Sequence, residues 1–196
     1  MIFNFTVFVL SFFFFLFIFW RNLKDDYIAS QIFSCAFWII ILFLLGLFVS
    51  YFLKQYQFFI CFFSLSIGYI IGSYRNHIKF YEGLDSFVAA TLLSLAFSSL
   101  IIFNSYSFPL MIFYIFIYLI MIIYILVKRQ YKSFIWYRSG KRGFSGLFCI
   151  GLFFLGRSLL SIIIPNLTLF LTEYEIFISG LISLFAFLNI FVLAGK

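Results

Sequence analysis

The sequence predicts an all-α fold: a polytopic membrane helical bundle of about seven transmembrane helices, N-terminus out and C-terminus in. Three observations carry this. Hydrophobic residues fill 66% of the 196 positions and charged residues only 10%, where soluble domains carry roughly 25% charged residues. Mean hydropathy is +1.20. Apolar runs of about twenty residues recur, the length that crosses the hydrocarbon core as a helix; barrel strands would alternate apolar and polar residues over about ten positions.

The whole chain, 1–196, reads as a single integral membrane domain with spans near 2–20, 28–53, 57–74, 86–107, 109–127, 144–164 and 176–194. The first has no basic stretch before its apolar run and no small-residue cleavage site after it, so it is expected as a helix rather than a signal peptide. Asp25 and Asp26 precede the second span, and Lys54 separates it from the third, which ends before Arg75. The fourth is the most polar, with Ser94, Ser98, Ser99, Asn104 and Ser105. The stretch before it, "RNHIKFYEGLDSF", predicts a solvated loop in which Asp85 caps the coming helix. The fifth span runs from Pro109 to the basic cluster opening at Lys128. The sixth follows a Gly-rich basic turn, "SGKRG", and the seventh follows "PNLTLFLTEYE", where Glu173 and Glu175 are expected in a loop.

Orientation follows from the cations. Arg21, Lys24, Arg75, Lys79, Lys128, Arg129, Lys132, Arg138, Lys141 and Arg142 all fall on one side of this scheme, joined by Lys196; Lys54 stands alone on the other. Cytoplasmic loops carry the Lys and Arg excess. The net charge of +7 is therefore a topology signal and implies no nucleic-acid partner. The densest cluster can also touch anionic lipid heads.

Metal and cofactor chemistry find no support. Cys35, Cys61 and Cys149 lie inside apolar runs and read as buried free thiols, and His77 is the sole histidine. No Gly-rich phosphate loop, GxSxG or Ser/His/Asp set occurs.

One residue breaks the pattern. Arg157 lies within "GLFCIGLFFLGRSLLSIIIP", fourteen residues beyond Gly143, hence roughly 21 Å from the basic face at 1.5 Å per residue. A guanidinium at such depth is a candidate functional site, and its natural ligand is a phosphate. Gly143 and Gly146 in "YRSGKRGFSGLF" allow close backbone approach at the start of the same span.

Together these stretches resemble the prolipoprotein diacylglyceryl transferase family. "GKRGFSGLFCIGLFFLGRSLLS" is similar to that family's late segment, a glycine turn entering a Gly-Leu-Phe-rich helix with an essential arginine, and Arg157 falls on that arginine. "YEIFISGLISLFAFLNIF" is similar in position to the last helix, and "YEGLDSFVAATLLSLAF" to the segment before the family's Gly-Arg-x-Gly-Asn signature, where Asn104 stands in the asparagine's region. Pro109 matches the proline opening the next helix. The third span, "FFICFFSLSIGYIIG", has no counterpart of the family's His-Gly-Gly motif.

The resemblance implies an enzyme of the bacterial inner (plasma) membrane that moves diacylglyceryl from phosphatidylglycerol to the lipobox cysteine of a prolipoprotein signal peptide, without a cofactor. Arg157 would be catalytic, with Arg157, Asn104, Gly143 and Gly146 as the lipid-phosphate set. Two other readings stay open: a catalytically inactive lipid-binding relative or accessory membrane protein, and a small transporter subunit.

Overall fold

In lipid a chain must satisfy its backbone polar groups internally, and apolar runs of this length do so as α-helices. The computed structural model describes residues 2–53, 56–101, 108–134, 137, 142–163 and 173–195, and every regular element among them is helical. The helices are α1 (Ile2–Leu23), α2 (Ala29–Phe52), α3 (Gln57–Arg75), α4 (Phe80–Ile101), α5 (Phe108–Gln130), α6 (Phe144–Ile163) and α7 (Glu173–Ala194), with one 3₁₀ turn, Tyr131–Ser133, after α5. Among the described residues six of them, α2 to α7, are long and apolar enough to cross a membrane, and α1 carries the apolar stretch Val9–Leu23. The chain is thus a multi-pass, all-helical membrane protein.

The packing is a set of hairpins around two central helices. α2 pairs with α3, α6 with α7, and α1 with α4, while α4 also meets α3, α5 and α6. α4 and α6 are the most enclosed. Residues such as Ala89, Ala90 and Ala96 are buried on α4, and small side chains let neighbouring helices approach closely.

The α2–α3 contact shows what this costs in side chains. A Cβ on Gly68 would stand 2.8 Å from the Ile39 Cα, and one on Gly72 would stand 2.8 Å from the Cys35 carbonyl oxygen. The spacing Gly68-x-x-x-Gly72 is the small-residue stripe of membrane helix pairs. Across α6 and α7, Ser183 Oγ donates to the Gly151 carbonyl at 2.9 Å and Ser158 Oγ to that of Ile176 at 3.5 Å, so the two helices run antiparallel.

Two expectations need correction. α4 begins at Phe80, not near residue 86, so Glu82 and Asp85 are helical and not loop residues. Its start is held from outside: Tyr69 donates its hydroxyl proton to the Phe80 carbonyl, and Tyr27 Oη accepts from the Lys79 amide at 3.0 Å and donates to Glu82 at 2.9 Å. Glu82 in the first turn also suits the positive end of the helix dipole. Asp85 therefore does not cap α4, and it is buried rather than solvated. The second correction is Glu175, the third residue of α7, which is likewise buried and not part of a loop.

Candidate functional site

Arg157 is 5% exposed and Glu175 1%. Antiparallel packing brings the far end of α6 beside the first turn of α7, and Arg157 Nη2 lies 3.2 Å from Glu175 Oε2. Nη1 donates to Ser179 Oγ at 3.4 Å, one turn further along α7. α3 closes the third side: the guanidinium carbon sits 3.7 Å from the ring centroid of Phe58 and 4.9 Å from that of Phe59. A desolvated cation over an aromatic face gains about 2 kcal/mol. Glu175 occupies a helix's first turn, where the dipole favours an anion.

The chemistry follows from this set. A charge buried alone would be prohibitive, whereas one paired with a carboxylate, a hydroxyl and two π faces is tolerated. Two of the guanidinium's five N–H donors are engaged by Glu175 and Ser179. Around them lie buried Ser161 and Ser183, which makes the α6–α7 seam a polar strip inside an apolar bundle.

Gly143 and Gly146 do not converge on Arg157. Gly146 precedes it by eleven positions on the same helix, which is about 16 Å. Gly143 and Gly146 instead serve a second polar centre at the opposite end of α6. Gly143 has φ 109°, a conformation open to glycine, and a Cβ there would press to 2.7 Å from the Tyr81 Cβ. Asp85, 8% exposed, accepts the Gly146 amide proton at 2.5 Å, and Ser145 Oγ lies 2.8 and 2.9 Å from its two oxygens. Asp85 is thus the N-cap of α6, supplied from α4, and it satisfies an amide that α6 cannot satisfy itself. Tyr124 of α5 donates to the Asp85 carbonyl at 3.2 Å, which ties a third helix to the same point. Asn104 lies outside the described residues.

Sequence reasoning missed Glu175, Ser179, Phe58 and Phe59 around Arg157, and Ser145 beside Asp85. One signal was there to read: Glu175 and Ser179 stand four apart at the head of an apolar run, hence on one helix face. Among the described residues no group of His, Cys, Asp and Glu could hold a metal ion.

No family model, no curated protein and no solved structure matches this chain.

Proposed function

We propose that the chain is a phospholipid-dependent transferase of the bacterial plasma membrane. It would move the diacylglyceryl group of phosphatidylglycerol to the cysteine thiol of a prolipoprotein signal peptide, and Arg157 would be the cation that receives the lipid phosphate. The proposal includes a seventh crossing by α1, with the N-terminus outside and the C-terminus inside. The observation that carries it is a buried guanidinium deep in α6 with a carboxylate beside it.

The reaction needs both groups. The thiol sulfur bonds to the glycerol carbon that bears the phosphate, the carbon–oxygen bond to phosphate breaks, and glycerol 1-phosphate leaves. The thiol proton passes to Glu175, the carboxylate nearest Arg157, and the guanidinium balances the departing phosphate's charge. An arginine suits this task because its fork matches two phosphate oxygens and stays charged when dry. Phosphate binding requires Arg157 to exchange Glu175 for the lipid, and that exchange frees the carboxylate as base.

A second reading has its own observation. Glu175 already compensates the charge, and Phe58 stacks on it; a relative without catalysis would use the same pair only to join α6 to α7. Conversion of a prolipoprotein in phosphatidylglycerol proteoliposomes separates the two. The transferase reading expects a lipidated product from wild type and its loss in Arg157→Lys, whose ammonium cannot fork onto two oxygens. A folded wild type that yields no product supports the second reading.

A further inference from the structure

α1 and α5 both pack on α4 but scarcely on each other. Between them runs a lateral groove of about 430 Å³, floored by Ala89 and Leu93 of α4 and walled by Phe14 and Phe17. That volume lies within the range of roughly 300–1,000 Å³ found for ligand pockets. Both walls end at the same face of the bundle. Arg21 stands two residues from the end of α1, and Lys128 and Arg129 close α5, so three cations meet at the groove's mouth. Among the described residues none of them has an ion-pair partner and no acidic side chain lines the groove.

An apolar trough leading to a cluster of cations is the negative image of one molecule class. We propose that this groove binds an anionic glycerophospholipid of the leaflet on the basic side, with an acyl chain along Phe14, Phe17 and Leu93 and the phosphate between Arg21 and the Lys128–Arg129 pair. A zwitterionic lipid would present a second cation to the same cluster and bind less well. The site lies at the opposite end of the bundle from Arg157 and does not depend on the transferase reading. Occupied, it would join α1 to α5, two helices that the protein alone leaves apart.

The test uses the full chain in detergent, titrated with dioleoyl phosphatidylglycerol or dioleoyl phosphatidylcholine, with retained lipid counted by native mass spectrometry. Wild type is expected to hold one phosphatidylglycerol in preference to phosphatidylcholine. The variant R21A/K128A/R129A should bind it on the order of a hundredfold more weakly, roughly fivefold per cation lost. The variant K24A/R75A/K79A loses the same net charge at residues that do not line the groove and should stay within about threefold of wild type by the same reckoning. Leu93→Trp fills the groove, keeps all three cations and should also lose the lipid. Equal retention of both lipids, equal weakening in the two triple variants, or binding that survives Leu93→Trp would each overturn the proposal. A lipid-independent dimer through this face would do the same.

Discussion

Arg157 on α6 and Glu175 on α7 form an ion pair of 3.2 Å in which both partners are sealed from outside. Neither is tolerable alone, so the pair makes α6 and α7 one mechanical unit. Removing one member leaves the other buried without its counter-charge, at a cost of about 3–5 kcal/mol, whereas replacing both with apolar residues is often neutral. Arg157→Met and Glu175→Leu are therefore each expected to lower stability in detergent by that amount, and the double variant to recover most of it. A double-mutant cycle on unfolding free energies measures the coupling. Two additive losses would mean that the pair contributes nothing to holding the hairpin.

At the other end of α6 the prediction concerns Asp85. Its carboxylate caps a helix whose Ser145 lies 60 residues later in the chain. Asp85→Ala removes the acceptor of the Gly146 amide and strands buried Ser145, with an expected loss of about 2–3 kcal/mol. Asp85→Asn keeps one oxygen and should lose about half of that. Amide exchange at Gly146 and Leu147 should quicken in Asp85→Ala before exchange in the middle of α6 changes.

Both limits of α2 and α3 and the start of α6 were legible because charged and polar residues flank them and apolar runs fill them. The two polar centres were not. Reading along the chain treats an acid as solvated, and that rule fails for Glu175 and Asp85. Their partners, Arg157 and the Ser145–Gly146 pair, lie 18 and about sixty residues away. Only the pairing of helices brings them close, and an apolar chain carries little local signal of which helices pair. Arg157 itself was legible, since a cation deep in an apolar run has no inconspicuous explanation.

Close helix approach gives a third prediction. Gly72→Ala would bring a methyl group to 2.8 Å from the Cys35 carbonyl oxygen, an atom of the α2 backbone that cannot rotate away. The α2–α3 hairpin must then separate, and an overpacked contact of this kind costs about 1–3 kcal/mol. Gly180→Ala is the control, because its nearest neighbour, Ser158 Oγ, would stand at 3.9 Å. Thermal denaturation of the two variants in one detergent should lower the midpoint for Gly72→Ala and leave Gly180→Ala near wild type.

The last prediction is sidedness. Asp26, after α1, forms an ion pair with Arg142, just before α6. Tyr27 binds both Glu82 and the Lys79 amide at the start of α4. Three connections therefore meet at one end of the bundle: α1 to α2, α3 to α4, and the approach to α6. They carry or adjoin Arg21, Lys24, Arg75, Lys79, Lys128, Arg129, Lys132 and Arg142, and so large a one-sided excess of basic residues is expected to mark the cytoplasmic side. Reporters fused after residues 26, 78 and 135 are expected to read cytoplasm, and those after residues 54 and 170 the outside. Since Asp26 touches Arg142, the reporters at 26 and 135 must agree whatever the absolute orientation. Opposite readings there would contradict the helix arrangement itself, whereas a uniform reversal of all five would contradict only the N-out assignment. That reversal would also put Arg157 near the cytoplasmic surface, out of reach of a lipoprotein precursor presented outside, and would end the transferase reading without touching the groove between α1 and α5.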